Sequence, residues 1–185
     1  MVIQVQLNSG NTMFVISIIY LIFNTITSAA SVIFSLVGAG LIFEVWQSLL
    51  LLAEYAIILA LTSKLIKGAL KNALMLCSVP IVGGTLAPLL FGTELSTHAH
   101  AAYNFGFIAV GVILLLAQID IIWVKLYAAI KILLSILMVL TLFGEIEHTI
   151  KSIGLLFLII FVSDICMVLI ASNSKIKRVL VNVHG

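Results

Sequence analysis

The stretch AAYNFGFIAVGVILLLAQIDIIWVKLYAAIKILLSILMVLTLF, residues 101–143, decides the architecture of this chain. As one α-helix it would be about 60 Å long, about twice the thickness of a bilayer's hydrocarbon core. It must be two membrane-crossing helices. Its one polar interruption is QIDIIWVK, so the turn is placed near Asp120, dividing spans 97–119 and 122–143, although neither Gly nor Pro marks it.

Working outward, the same logic applies to the rest of the chain. Of its 185 residues 63% are hydrophobic and only 9% are charged, and its mean hydropathy is +1.34. So few polar residues cannot clothe a water-soluble core, and the long apolar runs match the roughly 20 residues a transmembrane helix needs. Lipid is the expected solvent. Charges then serve as punctuation: none occurs before Glu44, and Lys64, Lys67 and Lys71 form a short basic loop. The expected fold is an all-α, polytopic transmembrane bundle of about six spans, 12–34, 44–63, 72–91, 97–119, 122–143 and 153–172, in one transmembrane domain covering 1–185. A tight bend is expected at Val37–Gly38–Ala39–Gly40, and GEIEHTIKS forms the last long loop.

The first span carries no preceding positive charge, which argues for a retained helix rather than a cleaved signal peptide. With six spans, Lys64, Lys67, Lys71, Lys125, Lys175, Lys177 and Arg178 share one side with both termini. Glu44, Glu94, Glu145, Glu147, His98, His100 and His148 share the other, with Lys151 as its one strong base. The positive-inside rule makes the termini cytoplasmic, most simply at the cell membrane. No tandem repeat or low-complexity tract is visible. The net charge of +2 is too small, and its basic residues too dispersed, for a nucleic-acid partner. The two cysteines, Cys77 and Cys166, sit in apolar runs without C-x-x-C spacing, as small packing residues do.

Three ionisable residues lie mid-span: Glu54, Lys131 and Asp164. Each lies roughly 12–14 Å from the cytoplasmic end of its helix, so the three can meet in one layer. A charge at that depth costs on the order of 3 kcal/mol to insert unless it faces a partner or a wet cavity. Two acids and one base leave one carboxyl in excess, so one of them is expected to carry a proton at neutral pH. Such a layer either moves a proton or cation, or serves as polar glue between helices. The third span holds Pro80 and Pro88, which obstruct the carbonyls of Leu76 and Gly84, with Gly83 and Gly84 between them. A broken helix of this kind exposes backbone groups that transporters use at mid-membrane. Gly38, Gly40, Gly106 and Gly111 are expected at close helix contacts.

On the outer side, His98, His100 and His148 with Glu94 and Glu145 supply imidazole and carboxylate groups of the kind that bind zinc or copper. Residues two apart on a helix point in nearly opposite directions, so His98 and His100 chelate one ion only from an extended segment. THAHAAYNFG resembles the His-x-His segments, followed by a glycine, on haem-binding helices of some respiratory membrane proteins. That resemblance implies His98 or His100 as an axial haem ligand. The simpler reading is interfacial polar residues bonded to backbone or water.

No G-x-S-x-G, H-E-x-x-H, Walker or G-x-G-x-x-G motif occurs, so no enzyme class is indicated. Short loops and the lack of a soluble domain favour a non-catalytic subunit of a larger membrane complex, a respiratory electron-transfer assembly being one candidate, with other membrane subunits or a second copy as partners. The alternatives are a small proton- or cation-coupled transporter built on Glu54, Lys131, Asp164 and the broken third span, and an outer-face haem or transition-metal site.

Overall fold

The computed structural model describes residues 9–35, 41–91, 96–143 and 150–181. Among the described residues there are eight helices and no strand: α1 (Ser9–Ser35), α2 (Leu41–Thr62), α3 (Gly68–Leu76), α4 (Ser78–Phe91), α5 (Ser96–Leu116), α6 (Ile122–Leu142), α7 (Ile150–Ser172) and α8 (Ser174–Val181). Among the described residues five stretches are long and apolar enough to cross a membrane, namely Gly10–Ala30, Gly68–Ala87, Thr97–Leu116, Ile122–Leu142 and Leu155–Ser172. In α2, a helix of 22 residues, the described apolar stretch is Leu49–Thr62. The transmembrane helical class expected from composition is therefore what the chain adopts, with α3 and α4 together making one pass. The expected bend at 37–40 lies outside the described residues, and α7 starts at Ile150, three residues earlier than the hydropathy suggested.

A helix in lipid must satisfy its polar groups internally. Ser17, Thr25, Thr62, Thr85 and Thr141 do this, each donating its hydroxyl to the carbonyl four residues earlier. Outward faces stay apolar: Ile19, Phe23 and Ile26 of α1 and Leu155 and Leu158 of α7 are exposed, as lipid-facing side chains are.

The helices form a closed ring in chain order. α1 packs on α2, α2 on the α3–α4 pass, α4 on α5, α5 on α6, α6 on α7, and α7 returns to α1. Glycines set the closest approaches. A Cβ at Gly84 of α4 would stand 2.5 Å from the Ala99 carbonyl oxygen of α5, and one at Gly111 of α5 would stand 2.8 Å from the Ala128 carbonyl oxygen of α6. Such small residues let backbones touch where no hydrophobic force operates between helices.

One turn and one helix cap define an end of the bundle. Between α5 and α6 the reversal falls at 117–121, where Gln118 takes the left-handed backbone with φ 51° that glycine usually supplies. Ile119 and Ile121 on either side of Asp120 are buried and pin this corner. The Asp120 carboxylate accepts from Lys175 of α8 at 3.2 Å. α8 itself begins at an Asn173 cap, whose side-chain oxygen accepts the Lys175 backbone N–H at 2.9 Å. It buries Ile176 and Leu180 and lays Lys177 over the Phe14 ring of α1, 5.0 Å from its centroid. The start of α1, the Asp120 turn and α8 thus share one end of the bundle, so an even number of passes separates each from the next.

With the basic loops at that end, Lys67 and His98, both exposed, lie at opposite ends of the α3–α4 pass. In right-side-out membrane vesicles a Lys67→Cys variant is expected to resist an impermeant thiol reagent while His98→Cys reacts. Labelling of both from one side would refute this arrangement.

Candidate functional site

Inside the ring, stripes of side chains at helical spacing converge on one cavity of about 280 Å³. α1 contributes Tyr20, Asn24 and Ser28, each four residues from the last; α5 contributes His100, Tyr103, Asn104 and Phe107; α6 contributes Lys131, Ser135, Met138 and Leu142. Glu54 of α2 completes the polar lining, and Leu50, Leu51, Leu134 and Ile160 supply apolar wall. The eleven helical steps from Lys131 to Leu142 correspond to about 16 Å along α6. The cavity therefore runs from mid-bundle towards the end that carries His98, the end opposite α8.

Its floor is a buried ion pair. Lys131 Nζ donates to Glu54 Oε2 at 2.6 Å, and both side chains are at most 5% exposed. Tyr127 donates its hydroxyl to the other carboxylate oxygen, Oε1, at 2.9 Å. Tyr127 and Lys131 stand one helical turn apart on α6, so a single face of that helix holds both oxygens of Glu54. The Lys131 ammonium also lies over the Phe107 ring, 4.3 Å from its centroid, where the ring's quadrupole attracts a cation. Phe107 in turn meets the Tyr55 ring edge-on at 6.5 Å.

Asp164 stands apart from this pair. It is buried, accepts a hydrogen bond from Asn24 Nδ2 at 2.6 Å, and lies within electrostatic reach of both Glu54 and Lys131. The cavity meets it through Asn24, which belongs to the lining as Asp164 does not. Among the described residues the ion pairs are Lys131–Glu54 and Lys175–Asp120, so Asp164 has a neutral partner where Glu54 has a charged one. Next to it, Ser163 Oγ is the one buried side-chain polar atom without a hydrogen-bond partner among the described residues.

Glu54, Lys131 and Asp164 are thus gathered in one polar layer, with Lys131 bonded to Glu54. Hydropathy reasoning passed over Asn24, Tyr20, Tyr127 and Asn104. The signal was available, since Asn24 is an amide in the middle of an apolar span and Tyr20, Asn24 and Ser28 repeat every fourth residue.

The third pass is arranged differently from expectation. The helix is interrupted once, at Cys77, between α3 and α4. Pro80 has no N–H for the Leu76 carbonyl, so the irregularity falls one turn before the proline. Cys77 keeps right-handed helical angles, φ −61° and ψ −17°, and its carbonyl accepts from Ile81 at 3.3 Å. Tyr55 donates its hydroxyl to the Leu74 carbonyl just before the interruption, at 2.6 Å. This is a kink. Gly83, Gly84 and Pro88 lie in the continuous backbone of α4, and among the described residues none of α3 or α4 lines the cavity.

The histidines also separate. α5 is already helical at Ser96, so His98 and His100 diverge: His98 is exposed, and His100 is half-buried in the cavity wall. The extended His-x-His chelate is therefore ruled out by the helix. His100 packs edge-on against the Tyr103 ring, with centroids 5.4 Å apart, and its backbone carbonyl accepts from Asn104 Nδ2 at 2.8 Å. Glu94, Glu145 and His148 lie outside the described residues. Among the described residues no group of three or more His, Cys, Asp or Glu side chains converges as a metal site. The chain matches no protein-family model, no curated protein and no solved structure closely enough to assign kinship.

Proposed function

We propose that this chain is a small membrane carrier that admits a solute from its outer end and couples its movement to one positive charge in the polar layer. The observation that carries this reading is the 280 Å³ cavity ending on the buried Glu54–Lys131 pair. A subunit that serves only to pack against partners has no use for such a chamber, and polar glue alone would be cheaper as neutral hydrogen bonds. The geometry therefore favours the carrier over the subunit role that composition suggests.

Charge arithmetic supplies the coupling. Glu54 is neutralised by Lys131, and Asp164 is left with a neutral amide, so the layer is complete only with one more positive charge. A proton on Asp164 provides it with no change of shape. When that proton leaves, the carboxylate competes with Glu54 for Lys131, and the floor of the cavity rearranges.

The test uses purified protein in liposomes carrying an inward-directed proton gradient and a panel of labelled small solutes. Gradient-driven accumulation of at least one solute is expected. Asp164→Asn, which keeps the hydrogen bond from Asn24 but cannot ionise, should lower that accumulation at least tenfold while solute exchange across the membrane persists. Unaltered accumulation in Asp164→Asn, or in Glu54→Gln, would refute the coupling. Native mass measurement addresses the subunit reading, which predicts stoichiometric partner chains.

A further inference from the structure

We infer that the cavity binds a small zwitterion, a solute of amino-acid size carrying one ammonium and one carboxylate; this rests on the carrier reading above. The inference starts from the charge of the lining. Glu54 and Lys131 both face the cavity and sum to zero, and Asp164 stays behind Asn24. A singly charged ion entering this apolar enclosure would be drawn by one member of the pair and repelled by the other, so little would offset the loss of its hydration. A solute with opposite charges a few ångströms apart meets both members favourably at once.

Spare bonding capacity points the same way. A lysine ammonium has three N–H donors and a carboxylate has about four lone-pair sites. Among the described residues Lys131 spends one donor, on Glu54, and Glu54 accepts from Lys131, Tyr127 and Tyr20, which leaves it about one lone-pair site. A zwitterion laid antiparallel to the pair can give its ammonium to Glu54 and take a proton donor from Lys131 without separating them. The four charges then alternate around a square, an arrangement attractive along every edge. Tyr127 from behind and Phe107 from the cavity wall hold the pair in place, so the receiving dipole is set before the solute arrives.

Size and wall chemistry fit as well. At about 280 Å³ the chamber lies at the small end of ligand pockets. Leu50, Leu134, Met138 and Ile160 face it with hydrocarbon, a surface suited to a short aliphatic chain between or beside the charges.

The experiment compares 5-aminopentanoate with pentylamine and pentanoate, three probes of equal chain length bearing both charges, the positive one, or the negative one. Titration calorimetry on the full chain in detergent is expected to show 5-aminopentanoate binding at least tenfold more tightly than either. In parallel, Ser135→Cys in a Cys77→Ala/Cys166→Ala background is labelled from outside with an impermeant methanethiosulfonate. The zwitterion is expected to slow that labelling and the singly charged probes to leave it unchanged. The doubly neutral Glu54→Gln/Lys131→Gln variant, which retains a hydrogen-bonded pair, should lose the preference. Equal binding or protection by pentylamine or pentanoate, or none by any probe, would overturn the inference while labelling at Ser135→Cys still showed an outward-open cavity. Failure of Ser135→Cys to react at all would overturn both this inference and the carrier reading.

Discussion

Lys131→Met is expected to destabilise the bundle by about 3–5 kcal/mol, because it leaves the Glu54 carboxylate buried without its counter-charge. Glu54 is 3% exposed and its remaining partners, Tyr127 and Tyr20, are neutral. A reversible detergent-denaturation series at neutral pH measures the loss. The companion variant Glu54→Gln/Lys131→Met removes both charges and keeps a hydrogen-bonding group for Tyr127. It should recover most of the stability, since replacing a whole buried pair is far less costly than removing half of it. If the single change were as stable as the parent at neutral pH, the ion pair would not be holding α2 to α6.

Gly84→Ala is expected to cost about 3 kcal/mol, at the upper end for overpacking. Its Cβ would stand 2.5 Å from the Ala99 carbonyl oxygen and 2.8 Å from the Tyr103 backbone nitrogen. Both are backbone atoms, so relief requires α4 and α5 to separate along their contact. The neighbouring Gly83→Ala is the control. Its Cβ meets nothing within 4 Å, and the gain in helix propensity should stabilise the chain by about 1 kcal/mol. A single added methyl group should thus act with opposite sign at adjacent positions. Equal effects of the two substitutions in thermal unfolding would show that α4 does not seat against α5 through Gly84.

Much of this architecture could be read from local physical chemistry. The cost of placing a residue in lipid belongs to that residue and its segment, so run length and hydropathy sufficed to demand helices, to divide 101–143 near Asp120, and to mark Glu54, Lys131 and Asp164 as residues needing partners. Even the corner at Gln118, which has neither Gly nor Pro, followed from the length of the run around it. Segregation of lysines from acids and histidines sets an expected order of inner and outer loops by the same reasoning, which the labelling of Lys67→Cys and His98→Cys tests.

Which groups meet is a different kind of fact. Helix rotation and neighbour choice arise from packing between segments far apart in sequence, such as Glu54 with Lys131, Asn24 with Asp164, and α7 with α1. A one-dimensional pattern assigns depth to a side chain but not direction, so it could place three ionisable residues in one layer without saying that lysine bonds to the glutamate and leaves the aspartate to an amide. The cavity exists because stripes on α1, α5 and α6 turn towards one another, and the kink at Cys77 faces elsewhere because α4 is held to α5 by Gly84. Those orientations come from close packing in three dimensions, where each contact depends on all its neighbours.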